Sequence, residues 1–231
     1  MSDGFGEGSA RPQGVFVTGT DTGVGKTRVA AALLAALAAS GLHAVGMKPV
    51  AAGIDAGADI NEDVAALAAA GSVDAPLALR NPYAFTAPIA PHLAARDAGA
   101  RIDLGVIERA FAALAARTDV VVVEGAGGVL VPLDAHSDML DVARVLGVPV
   151  LLVVGMRLGC LNHALLSTLA IRARGLALAG WVANELPPGM ARCADNVATL
   201  VRALGVAPIA TLGPDAPFRL DAAAVGKLNL R

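Results

Sequence analysis

The stretch Asp119–Glu124 reads Asp-Val-Val-Val-Val-Glu, and it constrains the fold more than any other part of the 231-residue chain. Successive side chains of a strand point to opposite faces, so a strand wetted on one side alternates apolar with polar residues. Four valines in a row leave no side for water. Such a strand is buried on both faces, as the strands of a parallel sheet are. Parallel neighbours need long crossovers, usually helices. The chain supplies both kinds of segment. Short β-branched runs at Gly14–Thr18, His43–Met47, Asp119–Glu124, Val148–Val154, Leu178–Asn184 and Val206–Leu212 predict strands. Ala/Leu-rich patterns at Lys26–Ser40, Ile60–Ala70, Asp103–Arg117, Leu161–Arg174 and Met190–Leu204 predict helices, with a last short one at Asp221–Lys227. Gly53–Gly57 reads as a loop. Asn81–Pro91, with its three prolines, reads as a long structured loop.

Strand-helix alternation implies right-handed βαβ units, hence an α/β fold with a mostly parallel sheet and helices on both faces. With no internal repeat or dividing linker, residues 14–231 read as one domain. The Gly-rich polar stretch 1–13 reads as a disordered tail without the apolar segment of a signal peptide. A mean hydropathy of +0.62 raises the question of a membrane span. The longest apolar stretches, Val29–Ala39 and Val145–Met156, fall short of the 18 or so residues needed. A net charge of −2 and 3% aromatic content argue against nucleic acid as a partner. Two cysteines far apart in sequence, Cys160 and Cys193, form no disulfide framework and suit a reducing cytoplasm.

In a parallel sheet, ligands bind beyond the carboxyl ends of the strands. Functional residues are therefore expected just after Thr18, Met47, Val123, Val154 and Ala183. The first of these places holds Gly19–Thr27, GTDTGVGKT, between a strand and a helix. Gly25-Lys26-Thr27 at a helix start is the core of a phosphate-binding loop, where backbone N–H groups and the helix dipole face an anion. Lys26 would reach the β- and γ-phosphates, and Thr27 would set its hydroxyl on Mg²⁺. The spacing carries one extra residue, since Thr20 stands where the strict pattern has glycine. The fold class is thus α/β and P-loop NTPase-like. The same loop could also be a glycine-rich turn with no ligand.

Glu124 ends the valine run and precedes Gly125-Ala126-Gly127-Gly128. An acid at the end of a buried strand, downstream of a phosphate loop, is placed to hold a metal; the alternative is a Glu capping a helix beside a tight turn. Asp63 opens the Ile60–Ala70 helix, where metal ligation competes with simple complementation of the helix dipole. Lys48 ends the second strand before Pro49 and points toward the same site as Lys26, unless it is a solvated surface lysine. Two lysines on one phosphate suit phosphoryl transfer, in which electrostatic stabilisation dominates.

Six motifs in order resemble the dethiobiotin synthetase family: GTDTGVGKT, Met47-Lys48-Pro49-Val50, Asn81–His92 (NPYAFTAPIAPH), Val123–Gly128 (VEGAGG), Leu158–His163 (LGCLNH) and Gly180–Asn184 (GWVAN). The resemblance spans roughly Val15–Asn184. It implies an enzyme of biotin synthesis that uses ATP, CO₂ and Mg²⁺ to close a ureido ring on 7,8-diaminononanoate. It also implies a route through a carbamate and a carbamic-phosphoric anhydride. By the same resemblance Thr27, Asp63 and Glu124 are the Mg²⁺ ligands, and Thr22, Lys26 and Lys48 act on the reacting groups. Gly23, Val24, Gly25 and Arg28 line the phosphates together with Lys26 and Thr27. Gly125, Ala126 and Gly127 complete the nucleotide site. Asn184 reads the adenine, with Pro214 and Asp215 at the other edge of the base. Ala52 lies near the substrate. Gly159, Cys160 and Asn162 hold the substrate carboxylate from a neighbouring subunit, which implies a homodimer.

Two positions depart from the family pattern. Ala52 stands where a hydroxyl residue is usual, and Gly23 where a Glu is usual. Neither change removes a presumed metal ligand or lysine. Cys160 reads as packing, His92 and His163 as loop-orienting, His43 and His136 as surface, and Trp181 as core. Two other classes compete. One is a related synthetase with a glutaminase domain, for which the 231 residues leave no room. The other is a dimeric ATPase switch, which usually carries a second lysine within Thr18–Thr22; this chain has none there.

Overall fold

The computed structural model describes residues 14–55, 57–214, 220 and 222–228. The tail at 1–13, Asp215 and Asp221 therefore lie outside the described residues. In chain order the elements are β1 (Gly14–Gly19), α1 (Lys26–Ala39), β2 (Ala44–Met47), β3 (Val50–Ala52), α2 (Glu62–Ala70) and α3 (Leu77–Arg80). There follow β4 (Tyr83–Phe85), α4 (Pro91–Asp97), α5 (Leu104–Ala115), β5 (Val120–Gly128), α6 (Met139–Leu146) and β6 (Val150–Met156). The chain continues with α7 (Cys160–Ala173), β7 (Leu178–Glu185), α8 (Cys193–Leu204), β8 (Ala210–Leu212) and α9 (Ala222–Gly226).

Among the described residues, six strands form one sheet in the order β2-β5-β1-β6-β7-β8, with every pairing parallel. The valine run lies one strand in from the β2 edge, between β2 and β1. Val120 and Val122 pack into the layer formed with α1 and α2, while Val121 and Val123 pack into the layer formed with α5, α6, α7 and α8. The same division holds in β1, where Val15 and Val17 face one layer and Phe16 the other, and in β6. All four valines are fully buried. At roughly 1.5–3 kcal/mol for each such side chain removed from water, this strand alone is a strong anchor.

Several expectations are corrected. The strand does not stop at Glu124; β5 runs on to Gly128, which pairs with Gly19 after a register shift. Its glycines permit the extension, because a Cβ at Gly125 would strike the Phe16 ring and one at Gly127 would strike Val131. The Asn81–Pro91 loop contains β4, which pairs in parallel with β3 as a separate two-stranded sheet. Its prolines at 82, 88 and 91 flank Tyr83–Phe85, so every strand residue keeps its N–H. The final strand is shorter than Val206–Leu212. Pro208 lacks the N–H a ladder needs, and pairing with β7 covers only Ala210–Leu212. Helices α3, α4 and α6 were not expected. The first two are short. For α6 the missed signal was a cap: Asp138 accepts from the Leu140 and Asp141 amides, while Asp141 accepts from the Asp138 amide.

Candidate active site

The loop after β1 is built by glycines. Gly23 and Gly25 have φ of 72° and 88°, which other residues rarely adopt. At Gly25 a Cβ would also collide with the Asn184 amide. Asp21 accepts from the Thr22 amide at 2.7 Å and is ion-paired with Arg157 at the end of β6. Lys26 folds back over the loop, its Nζ donating to the Asp21 carbonyl at 3.1 Å.

Three elements then bring acidic and basic groups to this loop. Asn61 caps α2 by accepting from the Asp63 amide at 3.1 Å, and its Nδ2 donates to the Gly53 carbonyl at 3.0 Å. The cap thereby ties the start of the helix to the end of β3 and aims Asp63 at the cleft. Lys48, after β2, is held by its backbone: its N–H donates to the Arg80 carbonyl, and its carbonyl accepts from Asn81 Nδ2 at 2.7 Å. Glu124 comes from the middle of β5.

These groups meet. Thr27 Oγ1 lies 2.6 Å from Asp63 Oδ1 and 2.9 Å from Glu124 Oε1. Lys48 Nζ donates to Glu124 Oε1 at 2.7 Å and forms an ion pair with Asp63 Oδ2. Lys26, Lys48 and Glu124 are all buried. Burial opposes the charge on Lys48, but the Glu124 and Asp63 carboxylates outweigh it and hold the ammonium above the ordinary lysine range. Burial lowers Lys26, assisted by nearby Lys48. Glu124 is pushed up by burial and by the neighbouring Asp63 carboxylate. Asp63 is half-buried; there the Lys48 ammonium prevails over burial, and its carboxyl sits below the usual range.

The donor set of one hydroxyl and two carboxylates is the hard-oxygen chemistry that Mg²⁺ requires. Glu124 Oε2 is buried and has no hydrogen-bond partner among the described residues, which leaves a carboxylate oxygen free for a cation. The residues therefore fit a divalent metal.

A cleft of about 740 Å³ opens over this cluster. Thr22, Gly23, Gly25, Lys26 and Thr27 line it together with Lys48, Ala52, Asp63, Glu124, Ala126 and Gly127. Pro88, Ile89, Ala90 and Val131 close the edge and were not anticipated. Asn81, which fixes Lys48, was also missed; a lone Asn before a proline gives no sign of a partner 33 residues away. Val24 is buried under the loop. Gly125 sits against Phe16 beneath the cleft. Asn184 lies behind the loop, with its Nδ2 donating to the Val24 carbonyl at 2.8 Å, and Arg28 extends toward it. Pro214 follows β8 on that same side. Gly159, Cys160 and Asn162 form the start of α7 and do not line the cleft of their own chain. Cys160 is buried and, like Cys193, a free thiol. Trp181 is fully buried, and His43 and His136 are exposed.

A central parallel sheet, a glycine loop opening a helix, and a buried acid on the adjacent strand define a P-loop nucleotide-binding protein. In agreement, the AAA domain family profile matches residues 13–217. Septum-site protein MinD from Pyrococcus horikoshii, solved with Mg-ADP, shares the fold at a TM-score of 0.53 and 15% identity, covering 94% of this chain and 87% of that one. A ParA family ATPase from Chlorobium tepidum also aligns at 0.53, with 14% identity over 94% and 89% of the two chains. The sequence relatives narrow the class. ATP-dependent dethiobiotin synthetase BioD of Nitrosospira multiformis is 56% identical over 192 residues, which is 83% of this chain and 84% of that protein. The protein of that name from Aromatoleum aromaticum is 53% identical, covering 85% and 91%. This chain belongs to the ATP-dependent dethiobiotin synthetase family.

Proposed function

We propose that the chain catalyses ATP-dependent closure of the ureido ring of dethiobiotin from 7,8-diaminononanoate and CO₂, with Mg²⁺. The observation that carries this reading is the meeting of Lys26, Lys48, Thr27, Asp63 and Glu124 at one cleft beside the phosphate loop, in a chain of this family. In the first step an amine nitrogen of the substrate bonds to CO₂ and loses a proton, giving a carbamate. A carbamate oxygen then bonds to the γ-phosphorus of ATP as ADP leaves. Finally the second amine attacks the carbonyl carbon, expels phosphate and closes the ring.

The second step brings two anions together, and cations offset their repulsion. Lys26 and Lys48 would supply two positive charges from buried positions, where electrostatic interactions are stronger than in water. Thr27, Asp63 and Glu124 would hold Mg²⁺, which when bound neutralises phosphate charge. The carbamate is already deprotonated, so this step calls for no tuned general base. Thr22, on the loop, faces the same cleft as a further donor. Backbone N–H groups from Gly23 to Arg28 would receive the phosphates, with the glycines of β5 leaving room alongside.

The active unit is proposed to be a homodimer. Gly159, Cys160 and Asn162 would bind the substrate carboxylate at the start of α7, reaching the cleft of a second copy. The outer face of α7 supports this arrangement. Leu158 is 95% exposed, and Leu165, Leu166 and Leu169 follow it at 38%, 57% and 62%. The spacing of Leu165, Leu166 and Leu169 sets them on one face of α7, which Leu158 precedes by two residues, and a contiguous apolar patch in water marks an interface. No described helix is long and apolar enough to cross a membrane. The reading places the enzyme in the cytoplasm, with no nucleic-acid or membrane partner. Incubation with the diamine, bicarbonate and Mg-ATP should release phosphate in proportion to ring product. Equal ATP hydrolysis with and without the diamine would sink the proposal.

A further inference from the structure

Arg28 stands beside Lys26 and Thr27 at the start of α1, yet its side chain serves a different place. Lys26 and Thr27 face the cleft. The Arg28 guanidinium donates from Nη1 to Asn184 Oδ1 at 3.2 Å, and from both Nη atoms to the Gly213 carbonyl at 3.4 Å. It thus joins the helix of the phosphate loop to the carboxyl ends of β7 and β8. Asn184 is 2% exposed, and its Nδ2 donates to the Val24 carbonyl. Both ends of the amide are therefore held. A flip of the amide would turn Nδ2 toward a guanidinium donor and Oδ1 toward a carbonyl oxygen, a mismatch at both contacts. A primary amide has two N–H donors and two acceptor lone pairs. After these contacts one donor and one acceptor remain, in a fixed order.

We infer that Arg28 is a positioning residue for base recognition: it locks the Asn184 amide so that the site prefers a 6-aminopurine nucleotide over a 6-oxopurine one. The inference rests on the reading that Asn184 meets the base. An adenine offers an N6 donor beside a ring-nitrogen acceptor, which matches an amide presenting oxygen then nitrogen in one order. Along its Watson–Crick edge hypoxanthine offers the reverse, O6 as acceptor and N1–H as donor. An amide free to rotate by 180° could satisfy either base, whereas a locked one satisfies only one. In the absence of the guanidinium, rotation is opposed, among the described residues, by the Nδ2 bond to the loop alone.

The test is isothermal titration of ADP, IDP and inorganic tripolyphosphate into wild type, R28K, R28M and Asn184→Ala. Wild type should prefer ADP by at least tenfold. In R28M that preference should fall to threefold or less, and R28K, retaining one cationic donor, should recover part of it. Tripolyphosphate, which has no base, should bind wild type, R28K and R28M within threefold of one another. Should R28M fail to fold, R28K carries the test, because a single ammonium cannot reproduce both contacts and the preference must drop. The inference is overturned if wild type shows no preference, if both Arg28 variants keep the wild-type preference, or if R28M weakens tripolyphosphate as much as ADP. Asn184→Ala separates the two levels of the argument. Retained preference in that variant overturns the reading that Asn184 meets the base; lost preference there, with full preference in R28M, leaves that reading standing and removes only Arg28.

Discussion

Replacing Lys48 with Met keeps the stem of the side chain and removes its charge. The Lys48 side chain is 7% exposed, and it is the ammonium between Glu124, 1% exposed, and Asp63. Removing one partner from a buried ion pair costs about 3–5 kcal/mol, because the remaining charge is left uncompensated. Two features of the site reduce that figure. Asp63 is 31% exposed and can draw on water. Glu124 is pushed upward by burial and takes a proton readily. The expected loss at pH 7.5 is therefore about 2–4 kcal/mol. Its pH dependence has a definite sign. Without Lys48, the folded state holds the Glu124 proton more tightly than the unfolded state does. The penalty for a buried charge is present above the folded pKa and disappears as pH falls through it, so Lys48→Met should approach wild type on acidification. Trp181, the only tryptophan and fully buried, provides the signal. With a urea slope of roughly 2–3 kcal/mol/M, the midpoint should move by about 1 M at pH 7.5 and by less at pH 5.5. A midpoint within 0.2 M, to order of magnitude, of wild type at both pH values would refute the reasoning, as would a gap that widens on acidification. Turnover should fall by a large factor in the same variant.

Other outcomes follow from named contacts. Asp141→Asn should destabilise the protein by about 2 kcal/mol at neutral pH, since the buried carboxylate accepts from the Asp138 amide, Arg144 and Arg174. Although burial raises the Asp141 carboxyl, the Asp138 amide and Arg174 outweigh it and hold it below the ordinary range. Its contribution is present above about pH 4 and lost as pH falls further, so wild type and variant should converge in urea titrations in acid. Gly25→Ala places a side chain at φ 88° and against the Asn184 amide; calorimetry should find Mg-ADP binding at least about tenfold weaker, roughly the 1–2 kcal/mol cost of a left-handed backbone. Leu166→Glu combined with Leu169→Glu should convert a dimer to monomers in sedimentation velocity and lower activity with it. Dimers persisting in the double variant would move the interface away from α7.

Much of the site was legible because its chemistry is local. The strand-loop-helix around Gly19–Thr27 carries its own evidence, since glycines at left-handed positions and a Lys-Thr pair opening a helix have few other uses. Asp63 and Lys48 could be placed near the loop from their positions at element ends, although each retained a bland alternative. For Lys48 the solvated-surface alternative falls away only when its buried ammonium is seen between Asp63 and Glu124, partners 15 and 76 residues distant. The β3–β4 sheet escaped notice for the same kind of reason. Three-residue strands have too few side chains to show a period, and their pairing depends on a partner more than 30 residues away.

The sequence by itself determined the buried parallel strand, the phosphate loop and the order of the motifs, because periodicity, glycine and proline chemistry act within a few residues. Only the tertiary structure decided which groups share a charge and which way each polar side chain faces. Arg28 shows the difference plainly. Its neighbours in the chain face the phosphate cleft, and it could be read as one more phosphate ligand. Its guanidinium instead meets Asn184, 156 residues on. An arginine reaches several ångströms in any direction, and the packing of β7 and β8 against α1 determines which acceptor lies within that reach.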